Sequence, residues 1–337
     1  MTGAAARGIG RYSRPASKTG QRDIPQWHLE NKHSPKRTPP IPIEPIETEL
    51  EQYDKNRIVH IPGLNHPESL SIGPDGTPYS VGKKGEVYRV DLATNTAEQY
   101  ATAPHRCLGQ AIDADGNMYG CDIFGGNVVL ITPGGQSSVY ATGPGGAKFG
   151  CANYPAFDRH GNLYMSDSSS DGTWSQVDGA IYKIRPGGGE AELWSVQPVN
   201  TPNAIALDAG DRHLYFAETF GPGIGRIAIN DDGSAGDYEY VVHMRRHVPD
   251  GVAFDDQGRL WIGCHRPDAI YVYDVARNRL DLFVDDWMGE KLRDPTDVAF
   301  AGPNRDIMLA ASLGLEAVHR LDGAGVRGLA LNYPKLS

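Results

Sequence analysis

Four side chains in this 337-residue sequence share one local setting. Glu68, Asn153, Asn203 and Asp250 each open a short apolar run that ends in a polar turn, in "PESLSIGPDG", "ANYPAFDRHG", "TPNAIALDAG" and "VPDGVAFDDQG". Aspartate fits a strand poorly, and a buried carboxylate without a partner is costly, so Asp250 needs a reason to stand where it does. Two carboxylates and two amide carbonyls converging on one point would supply that reason. They form the donor set of a hard divalent cation, with room left for water. Zinc sites draw on His or Cys, and neither occurs at this position. Calcium is therefore the expected ion, with Mg2+, Mn2+ and Zn2+ as the other divalent candidates. Taken singly, each of the four could instead cap a local turn. Their common register is what points to ligation.

The elements that must bring them together are legible as a repeat. The turns "PDGTPY", "ADGNMY", "RHGNLY", "GDRHLY", "DQGRLW" and, more loosely, "PNRDIM" recur at intervals of roughly 40 to 50 residues. With 41 Gly and 24 Pro used as punctuation between short apolar runs, the chain reads as all-β, a six-bladed β-propeller. Blades are expected to begin near Pro67, Cys107, Ala152, Pro202, Pro249 and Pro295. The residue after each start is then Glu68, Leu108, Asn153, Asn203, Asp250 or Thr296. Because first strands line a propeller's channel, these positions meet at one depth. The segment "NRIVHIPG", residues 56–63, is expected to close the ring as the outer strand of the last blade, which removes exposed sheet edges.

Second strands return to the channel mouth, so their ends also border the pocket. Asp122, Asp167, Glu218 and His265 fall there, and His105 lies in a connection leading into a blade; these five are the candidate substrate-binding residues. The three acids can equally serve to hold neighbouring loops. His265 can donate, accept or exchange a proton near neutrality. Lys83, Lys84, Phe124, Trp174 and Phe220 belong to the same rim, and His247 enters blade five. No G-x-S-x-G elbow is present, and "GPGGAKFG" and "RPGGGE" lack P-loop spacing, so neither serine-hydrolase nor phosphate-cradle chemistry is indicated.

The formal charge of −10 divides into +6 over residues 1–40 and −16 over the rest. The folded part is acidic, which argues against nucleic acid as its partner. Residues 1–55 read as an extended, basic, Pro-rich N-terminal arm, and residues 56–337 as the propeller. The first twenty-two residues resemble an organelle transit peptide faintly, without its amphipathic pattern. Four cysteines without a C-x-x-C pair predict free thiols, and no apolar run is long enough for a membrane span. A soluble, cytoplasmic protein that contacts no membrane is expected.

The segments quoted above, with "NYPAFDRHGNLYMSD" and "VPDGVAFDDQGRLWIG", resemble the calcium-dependent propeller hydrolases of the senescence marker protein, gluconolactonase and luciferin-regenerating enzyme family. "LYMSDSSS" with "GAIYKI" is also similar to strictosidine-synthase-like propellers. The resemblance implies a divalent cation held by Glu68, Asn203 and Asp250, with Asn153 as a ligand or substrate contact, and hydrolysis of a lactone or ester. Paraoxonases look as though they carry a histidine near the second-blade slot; here Leu108 stands there, with His105 three residues earlier, so that base is not carried over. The expected activity is lactone hydrolysis, with Asp250 both ligand and water-activating base. An ester hydrolase, a condensing enzyme of the strictosidine-synthase kind, and a non-catalytic interaction propeller are the alternatives.

Overall fold

The computed structural model describes residues 41–45, 48–168, 178–197 and 200–336. Residues 1–40, with most of the expected arm, and Trp174 lie outside them. Among the described residues there is no α-helix beyond short 3-10 turns, and no helix long and apolar enough to cross a membrane. Six antiparallel sheets follow one another in chain order. Their innermost strands are Leu70–Ile72, Cys107–Ile112, Ala152–Phe157, Pro202–Leu207, Val248–Phe254 and Pro295–Ala301. The core lies between blade faces: Trp261 of blade five is 1 % exposed and packs edge-on to Phe300 of blade six at 5.5 Å.

The repeated turn has a physical cause. In blade two, Asp113 accepts hydrogen bonds from the backbone of Asp115 and Asn117 at 2.9 Å each and from the Tyr119 hydroxyl at 2.9 Å. Asp158 and Asp255 repeat the arrangement in blades three and five. These aspartates build the turn at the channel end remote from the first-strand starts.

The ring closes where the sequence predicts. Val59–Pro62 pairs antiparallel with Ala317–Asp322 as the outer strand of blade six. Two further ties are structural findings. Gly189–Glu190 adds a parallel strand to the outer edge of blade two, linking it to blade three. The C-terminal segment then crosses the channel end as a strap that bonds to every blade. Leu329 N–H donates to Phe254 O at 2.9 Å, Gly328 N–H to Arg305 O at 2.7 Å, and Ala114 N–H to Pro334 O at 3.0 Å. Asn332 Nδ2 reaches Phe157 O at 3.0 Å and Asp211 at 3.1 Å, and the Tyr333 hydroxyl donates to Ile72 O at 3.0 Å.

Residues 41–45 and 48–58 are docked against the propeller, in the same compact unit, Pro40–Ser337. Glu44 accepts hydrogen bonds from His247 Nδ1 at 2.9 Å and from the backbone N–H groups of Arg246 and His247, and Tyr53 is buried against Phe283. Burial alone would raise the Glu44 carboxyl; the bonds from His247 and Arg246 outweigh it and hold the group at about 2. A depressed carboxylate contributes stability above its unfolded value, lost as pH falls through the folded one. Deleting residues 1–40 should therefore leave the melting temperature close to that of the parent. Deleting residues 1–50 should lower it and reduce the acid-labile part of the stability profile by the share Glu44 contributes, and deleting residues 1–63 should abolish cooperative melting. Equal melting of all three in thermal denaturation would rule out both closures.

Candidate functional site

Each of five first strands carries a β-bulge at the same place, between Cys107 and Gln110, Ala152 and Pro155, Pro202 and Ile205, Pro249 and Val252, and Pro295 and Asp297. A bulge inserts an unpaired residue and turns its side chain out of the ladder. Leu108, Asn153, Asn203, Asp250 and Thr296 are each the first residue within these shifts, with no register partner on the second strand. The common position anticipated from the repeat thus coincides with a backbone irregularity, which leaves these residues outside the regular ladder.

The outer ends of the two amides are anchored by one device, used twice. Asn153 Nδ2 lies 2.7 Å from Ser168 Oγ, which donates to Pro202 O at 2.8 Å; Asn203 Nδ2 lies 3.1 Å from Thr219 Oγ1, which donates to Pro249 O at 3.2 Å. A hydroxyl has one proton, and each spends it on the next blade's carbonyl, so the amide must present its N–H to that hydroxyl. Both Oδ1 atoms are left without a hydrogen bond among the described residues. Thr296 Oγ1 closes the circle by donating to Glu68 O at 2.7 Å.

Residues 83–314 match the SMP-30/gluconolactonase/LRE-like region. The chain belongs to that family. Its fold is similar to a gluconolactonase from Xanthomonas campestris at 17% identity over 79% of this chain and 89% of that one, TM-score 0.68. It is similar also to a luciferin-regenerating enzyme, at 17% identity over 83% and 99%, TM-score 0.67. The calcium-binding protein regucalcin from Agrobacterium tumefaciens aligns at 16% identity over 88% and 99%, TM-score 0.64. Among curated proteins no sequence match was found.

In this family member the ring holds an unequal pair of carboxylates. Glu68 is ion-paired with Arg106, both side chains about one-fifth exposed. Asp250 is 6 % exposed, and burial, with the nearby Glu68 and Asp297 charges, pushes it well above the ordinary carboxylate range. His265 Nε2 approaches Asp250 Oδ2 at 3.4 Å. Burial lowers this imidazole below its usual value. Both shifts favour the neutral forms, which weakens the contact as an ion pair.

Beneath the ring lies a polar floor. Asp297, fully buried, accepts from Leu70 N–H at 2.7 Å and from the Tyr154 hydroxyl at 3.0 Å, so one carboxylate ties blades six, one and three across the channel. Burial raises it to about 7 even against those bonds. The Ser69 hydroxyl and Gln110 complete the floor, with Oγ 2.9 Å from Oε1.

The second-strand acids are committed elsewhere. Asp122 accepts from His105 Nδ1 at 2.8 Å and from the Phe124 and Gly125 N–H groups; Asp167 accepts from Gly150 and Cys151 N–H at 2.9 and 2.7 Å. Glu218 accepts from the Tyr238 hydroxyl at 3.0 Å and Asn200 Nδ2 at 3.3 Å, and burial raises its carboxyl. These bonds hold rim loops in place. Lys83, Lys84 and Phe124 are exposed at the mouth, and Phe220 is half-buried there.

Sequence reasoning missed Arg106 and Asp297. Arg106 stands two residues before the blade-two slot, in a connection with no repeat signature. Asp297 follows the blade-six slot, where the other blades carry Ser69, Gly109, Tyr154, Ala204 and Gly251; its being the lone acid at that position was the available signal.

Proposed function

We propose that the mouth-side ring is a divalent-cation centre, calcium being the ion its donors suit, and that it opens a lactone. The observation that carries this is Asp250, a buried carboxylate at a register shift, following round the ring two amides, Asn153 and Asn203, whose carbonyl ends accept no hydrogen bond among the described residues. Among the described residues no three His, Cys, Asp or Glu side chains are grouped to hold a metal. A site here must use amide oxygens, and Asn153 and Asn203 offer them beside Glu68 and Asp250. Four oxygen donors with water completing the shell fit calcium. The Arg106 guanidinium is the one element against it, and it would have to share Glu68 with the ion.

A bound divalent cation polarises a carbonyl and acidifies a water. The chain's own groups do the rest. Asp250, at the edge of the ring, would accept a proton from an attacking water, and His265, with Nε2 3.4 Å from Oδ2, would hold it in turn. Arg106, bonded to Glu68 through Nη2, would offer its remaining N–H donors to a substrate oxygen. The Tyr154–Asp297 floor blocks the channel below and keeps the reacting group at the mouth. Family membership and likeness in fold to a gluconolactonase support the lactone over other esters.

The test is a panel of sugar and alkyl lactones and simple esters, assayed with metal content before and after chelation. Lactone opening lost on chelation and restored by calcium is expected; turnover indifferent to chelation, or no turnover on any lactone, overturns the reading. A second expected result concerns pH. Because burial and the Glu68 and Asp297 charges hold Asp250 above the ordinary carboxylate range, cation binding there competes with a proton, so affinity should rise with pH above that range, with release of roughly one proton. Calorimetry in buffers of different ionisation enthalpy reads that proton, and a pH-independent affinity would remove Asp250 from the ligand set.

A further inference from the structure

We propose that the lower half of the channel, between the Tyr154–Asp297 floor and the C-terminal strap, is a second binding site, which takes a small, largely apolar molecule carrying one hydroxyl or carbonyl group. It goes beyond the mouth-side reading and does not depend on it. The chamber has a volume of about 150 Å3. Its wall repeats around the ring: Ser71, Ala111, Ala156, Ala206, Ala253 and Ala299 stand at one position in the six first strands, second from the strand end or one residue further in. Five methyl groups and one hydroxyl at this level leave open space where larger side chains would fill the channel. Leu329, Ala330 and Leu331 of the strap form its far end, and Leu331 is 51% exposed there, which places the entrance at the strap.

Among the described residues, the side-chain polar groups lining the chamber are bonded with one exception. Gln110 is bonded to Ser69, Tyr154 to Asp297, Asp208 to its own turn, Asp211 to Arg159 and Asn332, and Tyr333 to Ile72 O. Ser71 is 6 % exposed, and its Oγ is buried without a partner. A buried hydroxyl left unpaired costs about 1–3 kcal/mol, and an occupant with one polar atom would recover much of it. A cavity of this volume lined by apolar side chains holds a single ring such as benzene. The wall and the lone hydroxyl therefore specify a ligand on the order of six to eight non-hydrogen atoms, such as a phenol, a cyclic alcohol or a short ketone.

Phenol and benzene are the probes, titrated by ligand-observed NMR into the full-length, chelator-treated protein, so that the outcome is independent of any cation at the mouth. Saturable binding of phenol is expected, tighter than that of benzene. Ala206→Leu, which fills the chamber, should weaken both at least about tenfold. Ser71→Ala should weaken phenol roughly threefold to tenfold and leave benzene unchanged. Ala156→Val is the milder filling variant should Ala206→Leu not melt cooperatively, and it should also weaken both probes. Absence of saturable phenol binding to the parent, or undiminished binding by the folded filling variant, overturns the site. Equal effects of Ser71→Ala on the two probes overturn the hydrogen bond as its means of recognition.

Discussion

Asp250→Asn should lower lactone turnover by about 10²- to 10⁴-fold while bound calcium falls far less, the loss expected when a general base is removed and its coordinating oxygen is kept. The amide is nearly isosteric and can still ligate, but it has neither the charge nor the basic oxygen. It also abolishes the proton linkage, since no group at that position then binds a proton in the relevant range. Asn203→Asp, which adds charge at the ring, should keep or tighten cation binding with a smaller kinetic change. Metal stoichiometry and kcat, measured for both variants on the best lactone found, separate the roles. Near-parental kcat in Asp250→Asn would reduce Asp250 to a ligand or a strand-start residue.

Gly251→Ala should be among the most damaging single changes outside the ring. A Cβ at Gly251 would lie 2.3 Å from Asp297 Cα and 2.5 Å from its Oδ1. The first is a backbone atom, so no side-chain rotation relieves the contact, and blades five and six must move apart. Overpacking of this kind costs about 1–3 kcal/mol, and more where the backbone cannot shift. Here it would disturb Asp250 and the Asp297 floor together, so cation affinity should fall with the melting temperature. Gly134→Ala is the control: its Cβ would meet nothing closer than Thr132 Oγ1 at 3.8 Å. Parental melting of Gly251→Ala would contradict the close approach of the two inner strands.

The outer turns show how sequence and structure divide the acids. Asp113, Asp158 and Asp255 open the repeated turn and accept bonds from the backbone two and four residues on. Asp250 carries no such local bond, and only its place in the repeat distinguished it beforehand. Asp122, Asp167 and Glu218 were legible as mouth-side acids, because second strands return to the mouth. That their carboxylates point into rim loops depends on which N–H groups those loops leave unpaired, and one sequence does not reveal that.

By itself the sequence determined the blade count, the strand-turn rhythm and the closure by Val59–Pro62, because each is a local matter of alternation, turn chemistry and period. It also placed Glu68, Asn153, Asn203 and Asp250 at one position of the repeat, since a repeat puts equivalent residues at equivalent points of successive blades. Only the tertiary structure decided what surrounds them. The bulges that turn those residues out of the ladder, the Arg106 partner of Glu68, the Asp297 bridge across three blades, and a strap that touches all six arise between segments far apart in the chain. Their partners are chosen by proximity in the closed ring, which no local pattern encodes. Asp250 is the clearest case: its high proton affinity comes from burial and from two other carboxylates on two other blades.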